Sequence, residues 1–201
     1  MLRFDEKQII DQIEPLPKRL RVAFAAACAQ RQLPICIRTS TINPAGNPEA
    51  VTRILRELWD SAERDAFNPE KLRRDLAVCD ALIPGRDAEY FSGSEFVQSA
   101  LISLHFAVDT GLSGGSREAM RPAWYAYEAL DEYIIQRFAV DVNAPGHQLF
   151  IDANPIIQAE LLRQKSDLAE LGAVAKDLRD QAAVISRIRR RAEKDASSFF
   201  G

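Results

Sequence analysis

The chain has 201 residues, of which 47% are hydrophobic and 27% are charged, and its formal net charge at pH 7 is −3. A chain of this length defaults to a single domain and is apolar enough to bury a substantial core. Its mild acidity argues against generic nucleic-acid binding, because a phosphate backbone attracts basic surfaces.

The first predicted elements are two amphipathic helices separated by prolines. The first covers Phe4 to Glu14, and Pro15 follows it. The second covers Lys18 to Gln32 and is expected to stop at Leu33-Pro34, because proline lacks the N–H that a helix interior needs. Residues 35–42 are rich in isoleucine and threonine but have no partner strand, and we interpret them as loop or distorted helix.

Two further helices share the opening Asn-Pro-Glu, which occurs at Asn47 and at Asn68. Asparagine can cap a helix, proline suits the first helical position, and glutamate complements the positive end of the helix dipole. An apolar stripe from Val51 to Trp59 marks the third helix, and Leu72 and Cys79 face inward on the fourth. Pro84-Gly85 is expected to end the fourth helix.

The segment from Ser94 to Thr110 is apolar around its whole circumference, which predicts a central helix. A glycine-rich turn over residues 111–115 should follow it. Ser116 is then expected to cap a helix over Arg117 to Phe138. Residues 139–153 are predicted to be an irregular connector.

Asn154-Pro155 opens the last element, which contains one glycine, Gly172, before Lys194. Apolar residues then recur at alternating spacings of three and four, a heptad stripe that only Gln164 interrupts, at Leu161, Leu168, Leu171, Ala175, Leu178, Ala182 and Ile185. The stripe predicts a helix on the order of 60 Å long, whose continuity through Gly172 stays open. The alanines of the stripe offer little apolar surface to a coiled-coil partner, and the charges that flank the stripe would pair poorly in a parallel dimer. We therefore expect this helix to pack across its own bundle, and homodimerisation through it is the alternative.

These patterns predict an all-α fold, a single-domain helical bundle of about seven helices with a long C-terminal helix. Residues 1–153 would form the bundle, and residues 154–201 would form the long helix packed on the same domain. The start of the chain turns acidic at Asp5 before any apolar run, unlike a signal peptide. The longest uncharged run, Phe96 to Val108, has 13 residues and is too short to span a bilayer.

Three cysteines form no metal-type pairing, and we expect them to be small core residues in a reducing compartment; they are Cys28, Cys36 and Cys79. The sequence therefore predicts a cytoplasmic protein without a membrane partner.

Several phrases of the chain match the pattern of one known family. They are Phe24 to Pro34 (FAAACAQRQLP), Leu55 with Leu58-Trp59-Asp60, Asn154-Pro155 followed by Glu160-Leu161 and Gln164, and Ile83-Pro84 followed by Asp87. In these phrases the chain resembles the bacterial YjaG-like proteins, a domain family of unknown function, over most of its length. The resemblance implies an all-helical fold and no particular activity, because the family has no established catalytic residues to carry over.

The glycine-rich turn at residues 111–115 (GLSGG) matches the G-x-S-x-G pattern of a nucleophile elbow. An elbow needs a strand before it, whereas a helix is predicted here, so the glycines are interpreted as a helix–helix turn. The turn followed by Arg117 also has the backbone character of an anion cradle, but it lacks the lysine of a P-loop.

Other titratable residues are also interpreted as structural. His105 is expected to be a neutral core residue and His147 an exposed residue of the connector, and neither has the neighbours that metal ligation needs. Three carboxylates, Glu128, Asp131 and Glu132, lie close together on one predicted helix. Such a row is more often a solvated face than an acid–base pair. No motif indicates a cofactor or a metal.

The candidate interaction surface combines two aromatic residues, Tyr125 and Tyr133, with four arginines, Arg187, Arg189, Arg190 and Arg191. The two tyrosines are either core and rim residues of their helix or, if they are exposed, anchors for a partner protein. Residues 187–195 hold five basic and two acidic residues, a net charge of +3. The cations either complement the helix dipole or form a hook for phosphate or an acidic partner.

We therefore expect a helical protein–protein binding module without catalytic activity, such as an adaptor or an immunity-type partner of an unidentified protein. Nucleic acid is not the expected partner. The first alternative is nevertheless a nucleic-acid accessory protein that uses the C-terminal arginines. The second is an enzyme whose site has no recognisable motif.

Overall fold

A computed structural model describes residues 1–39, 47–83 and 94–199 of the chain. Within these ranges the chain forms nine helices and no strand, so the predicted all-α bundle is confirmed, with more helices than the predicted number. The helices are α1 (Glu6–Ile13), α2 (Lys18–Thr39), α3 (Pro48–Arg64), α4 (Pro69–Leu82), α5 (Ser94–Ser113), α6 (Ser116–Phe138), α7 (His147–Asp152), α8 (Pro155–Ala173) and α9 (Leu178–Ala196).

The three predicted Asn-Pro helix starts are confirmed. The side chain of Asn47 accepts a hydrogen bond from the backbone N–H of Ala50 at 3.1 Å, and Asn68 accepts one from Lys71 at 3.1 Å. Asn154 caps α8 in the same way, through the N–H of Ile156 at 3.0 Å. Each side chain satisfies one of the donors that a helix start leaves free. The predicted stop at Pro84-Gly85 lies outside the described residues.

The predicted end of the second helix at Pro34 is wrong, because α2 continues through Pro34 to Thr39. A proline removes one backbone donor from a helix interior, which local propensity would treat as a stop. Here Leu33 and Cys36 on either side of the proline are buried in the core. Tertiary packing of this kind outweighs the local penalty.

The junction between α5 and α6 also differs from the prediction. Helix α5 continues through Gly111, where a Cβ atom would lie 3.2 Å from Cδ1 of Leu58, so glycine permits the close approach of α3. The chain turns at Gly114, whose φ is +73°. Ser116 does not cap α6 as predicted; Gly115 occupies the N-cap position without a side-chain hydrogen bond.

The single long C-terminal helix is wrong: the segment forms two helices, α8 and α9, separated by residues 174–177. The side chain of Gln181 donates to the carbonyl oxygens of Val174 and Ala175, each at 3.1 Å, and Asp177 caps α9. The heptad stripe therefore folds back as a helical hairpin. The predicted irregular connector contains the short helix α7.

Helix α2 is the centre of the bundle, with contacts to α3, α5, α6, α8 and α9. Residues 22–29 of α2 are buried on every side, and five of them are alanines that let neighbouring helices approach closely. The predicted central helix, α5, also lies in the interior, but Ile102 and Phe106 stay half-buried. In the described part of the chain, no helix is both long enough and apolar enough to cross a membrane.

Candidate functional site

A buried charge network lies where α2, α8 and α9 meet. The Arg31 side chain of α2 is 1% exposed, and so are those of Glu160 and Asp167 on α8. Arg31 donates from Nε and Nη2 to Oε1 of Glu160, at 3.1 and 2.9 Å, and from Nη1 to Oδ2 of Asp167 at 2.9 Å. The guanidinium thus bridges two carboxylates, which is the condition under which a buried charge is tolerated.

The network continues from the core to the surface with alternating charge. Oδ1 of Asp167 accepts from Nη2 of Arg191 at 2.6 Å, and Arg191 also pairs with Glu170. Glu170 in turn accepts from Nε of Arg187 at 3.0 Å. Every ion pair in this row joins α8 to α2 or to α9, so the row holds the helical hairpin on the central helix.

Burial and pairing set the protonation states in the network. Burial alone would lower the pKa of the Arg31 guanidinium, but the adjacent Glu160 carboxylate raises it well above its ordinary value. Burial raises the pKa of the neighbouring Cys28 thiol, which therefore stays protonated and unreactive at neutral pH. Burial opposes ionisation of Glu170, yet hydrogen bonds from Arg191 and Arg187 hold the pKa of its carboxyl below the usual value.

Two glutamines complete the polar interior. The Gln164 amide donates to the backbone oxygen of Ala123 at 3.1 Å and to Oε1 of Glu160 at 3.0 Å. Gln32 donates to the hydroxyl of Ser103 at 2.8 Å. Because the guanidinium, the thiol and both amides are buried, the hydrogen bonds of this region fix the positions of the helices that carry them.

The structure places the four predicted arginines along α9, and three of them already pair with carboxylates of the same chain. Arg187 and Arg191 belong to the network described above. Arg189 lies 2.9 Å from Asp60 and 3.5 Å from Glu63, both on α3. Arg190 is exposed, and no ion pair joins it to another described residue. The local charge of this surface is therefore largely neutralised.

Tyr125 and Tyr133 are half-buried on α6 rather than fully exposed. The Tyr125 ring stacks on Phe106 of α5, with 6.0 Å between ring centroids. The Tyr133 ring meets Phe96 of α5 edge-on at 6.4 Å. Both rings thus contribute to the α5–α6 contact. The tyrosines lie on α6 and the arginines on α9, so the predicted surface is divided between two elements.

The remaining sequence motifs have structural roles. Ser113 lies in the last turn of α5, where its hydroxyl donates to the Asp109 carbonyl at 2.9 Å, so no strand precedes it as an elbow would require. The interpretation of His105 as a buried core residue is wrong: its side chain is 25% exposed, and Nδ1 lies 2.9 Å from Oδ1 of Asp80. In the described ranges, no group of three or more His, Cys, Asp or Glu residues is arranged to hold a metal ion.

The three carboxylates of the predicted row on α6 are joined by a fourth acidic residue, Asp152 of α7. Gln148 donates to Oδ1 of Asp131 at 3.2 Å and to Oδ1 of Asp152 at 3.3 Å. The Tyr127 hydroxyl donates to Asp152 at 3.0 Å. Burial, and then proximity to other carboxylates, raises the pKa of both Glu128 and Asp131. These side chains make an acidic surface that cations of the chain barely compensate.

Sequence reasoning missed an exposed apolar surface, which we call the connector patch. Its members are large apolar side chains that are 46–53% exposed: Phe138, Val142, Leu149 and Phe150. The rings of Phe138 and Phe150 contact each other edge-on, with 6.1 Å between centroids. The signal in the sequence was a set of apolar residues within a segment that has no helical period long enough to bury them.

The fold of this chain also occurs in a solved structure of another protein. No family model matches the chain, and no curated protein matches it significantly. The fold is similar to that of a DUF416 family protein from Shewanella baltica OS155, a family of unknown function, with a TM-score of 0.77 and 18% sequence identity. The match covers 92% of this chain and 93% of the other. At this identity the likeness shows a shared all-helical fold and carries no function.

Proposed function

We propose that the protein is a protein-binding module without catalytic activity and that its partner docks on the connector patch. The observation that carries the proposal is the exposure of two phenylalanines and two aliphatic side chains within the 13 residues from Phe138 to Phe150. Apolar groups concentrated in this way mark contact surfaces more often than isolated exposed residues do. An adaptor or immunity-type role in the cytoplasm of a bacterium is the setting that we propose for it.

The geometry of the patch supports this assignment. Phe138 ends α6 and Phe150 lies on α7, so both rings are carried by helices and already contact each other. A preformed aromatic pair loses little conformational entropy when a partner covers it. The other exposed large apolar side chains of the described residues lie elsewhere: Met1 before α1, Leu162 on α8 and Leu178 on α9.

The kinship with the YjaG-like proteins is also part of the proposal. The observation that supports it is that the sequence phrases which carry the resemblance contact one another in the folded chain. Arg31 of the first phrase bonds to Glu160 of the third. The indole N–H of Trp59, from the second phrase, donates to Gln30 at 3.3 Å. Residues that resemble a family pattern thus contact one another at the centre of the fold.

The test is affinity capture from a nuclease-treated lysate, read by mass spectrometry and light scattering. The wild-type chain is compared with the double variant F138S/F150S and with the matched control L178S, which removes an exposed leucine from α9. We expect one protein to be retained at fixed stoichiometry by the wild type and by L178S, and to be lost from F138S/F150S. Equal retention by all three would overturn the proposal, and a wild-type homodimer that the double variant dissociates would identify the partner as a second copy.

A further inference from the structure

The negative charge of the chain is concentrated in the segment that contains the connector patch. Residues 128–152 contain five acidic side chains and one basic one, Arg137, a net charge of −4, whereas the whole chain carries −3. The acidic residues are Glu128, Asp131, Glu132, Asp141 and Asp152. The remainder of the chain therefore carries a net charge of +1.

Several carboxylates elsewhere in the described structure pair with arginine or lysine. Asp75 lies 3.1 Å from Arg53 and 3.3 Å from Lys71, and Asp60 lies 2.9 Å from Arg189. On residues 128–152 the described partners are mostly neutral, such as the amides of Gln148 and Gln136. The one described ion pair of this segment joins Asp152 to Arg3 at 3.8 Å.

The same elements carry the acidic and the apolar side chains, with Asp131 and Phe138 on α6 and Asp152 and Phe150 on α7. Gln148 is on the same short helix as Phe150, and its amide bonds to Asp131 and Asp152. Asp141 lies between Phe138 and Val142 in the connector and is exposed. Burial first, and then neighbouring carboxylates, raise the pKa of Glu128 and Asp131. An apolar patch with an acidic rim requires a complementary surface that is apolar and basic.

We propose that the connector patch binds a basic amphipathic helix of a partner protein, with the apolar face of that helix on Phe138 and Phe150 and its lysines or arginines on the acidic rim. Helix-in-groove recognition uses this combination of an apolar face and charged flanks. The inference rests on the proposed function and specifies the chemistry of the partner. Nucleic acids and anionic membranes do not fit, because the rim would repel their phosphates.

A labelled amphipathic peptide of about 18 residues, built from leucine and lysine, tests the inference by fluorescence anisotropy. A leucine–glutamate peptide of the same pattern is the control ligand. The protein variants are F138S/F150S, which removes the aromatic pair, E128Q/D131N, which removes two rim charges and keeps the patch, and L178S as the matched control. Measurements at low and at physiological salt report the electrostatic part of the affinity.

We expect the leucine–lysine peptide to bind the wild type and L178S equally, and to bind more weakly at higher salt. E128Q/D131N should weaken binding by roughly twofold to tenfold and reduce the salt dependence, since exposed charge pairs are individually modest. F138S/F150S should weaken binding at every salt concentration. Equal binding of the leucine–glutamate peptide, or unchanged affinity in both double variants, would overturn the inference.

The two proposals fail in different ways. If the leucine–lysine peptide does not bind, but F138S/F150S still loses the natural partner in the capture experiment, the basic-helix inference is wrong and the protein-binding function stands. If the capture experiment also shows no difference between F138S/F150S and the wild type, both proposals are wrong.

Discussion

At the scale of single residues, Arg31 has the most demanding environment in the described structure. Its guanidinium is enclosed in the core, where an unpaired charge would be strongly disfavoured. Glu160 and Asp167 supply carboxylates at 2.9 Å, so the charge is compensated on two sides. Buried pairs of this kind add little net stability when complete, but removing one member leaves the others uncompensated.

We therefore predict that Arg31→Met is strongly destabilising. Methionine has a similar length but removes the buried cation that bridges Glu160 and Asp167, of which Asp167 keeps a close arginine, Arg191 at 2.6 Å. The expected loss is about 3–5 kcal/mol of unfolding free energy. Urea denaturation followed by circular dichroism measures the loss. Arg190→Ala, at an exposed arginine, is the control and should stay within about 0.5 kcal/mol of the wild type. An Arg31→Met chain as stable as that control would contradict the structural role of the network.

At Asp131 we predict that a substitution increases the unfolding free energy instead of lowering it. Burial and nearby carboxylates raise the pKa of Asp131, so the folded state binds its proton more tightly than the unfolded state. The ionised form therefore costs stability at neutral pH, and this cost disappears as the pH falls through the folded-state pKa. Asp131→Asn, which can still accept from Gln148, should stabilise the protein by up to about 1 kcal/mol at neutral pH and by less in acid.

Urea midpoints of the wild type and Asp131→Asn, measured at neutral pH and near pH 4, check both parts of this prediction. Asp11→Asn, at an exposed carboxylate on α1, is the control for the substitution itself. A stabilisation by Asp131→Asn that is the same at both pH values would mean that titration of Asp131 is not its cause.

At the scale of elements, the sequence predicted helix starts better than helix ends. A start is determined locally, by the Asn side chain and the proline that follows it, and Asn47, Asn68 and Asn154 all cap as expected. An end depends on what the helix packs against. Helix α2 passes Pro34 because Leu33 and Cys36 are buried, and the heptad stripe breaks where Gln181 bonds to the backbone at residues 174 and 175.

We predict that Gln181→Met weakens the turn between α8 and α9. The fully buried Gln181 amide donates to two carbonyl oxygens, and methionine keeps the length of the side chain but removes both hydrogen bonds. The expected loss is about 1–2 kcal/mol of unfolding free energy, measured by urea denaturation. Gln12→Met on the exposed face of α1 is the matched control. A loss no larger than in that control would show that the turn does not depend on Gln181.

The candidate site was predicted less completely than the fold, for a physical reason. The arginines of α9 looked like a free basic surface, because their partners Asp60 and Asp167 are 129 and 24 residues away in the sequence from Arg189 and Arg191. The exposure of Tyr125 and Tyr133 stayed open because it depends on how α5 packs against α6. The connector patch was missed because apolar residues in a connector can be buried or exposed, and the exposure of Phe138 and Phe150 is a property of the assembled fold.

At the scale of the whole molecule, the α8–α9 hairpin is part of the hydrophobic core and not a surface addition to it. Its residues Leu168, Leu171, Val184, Ile185 and Ile188 belong to the same buried cluster as α2. Burial of one such side chain contributes roughly 1.5–3 kcal/mol, so five of them amount to a stability comparable with that of an entire domain. The hairpin also carries both carboxylates that compensate Arg31.

A chain truncated after Ala153 should therefore lose cooperative folding. Without the hairpin, α2 would expose apolar surface and the Arg31 guanidinium would lie in an apolar wall without its counter-charges. We expect retained helicity in the far-ultraviolet spectrum, dye binding to exposed apolar surface and a broad urea transition, as for a molten globule. The full-length chain, measured in parallel, is the control and should unfold in one cooperative transition. A soluble truncated chain that unfolds in one sharp transition at the wild-type midpoint would show instead that residues 1–153 fold on their own, with residues 154–201 as a separable extension.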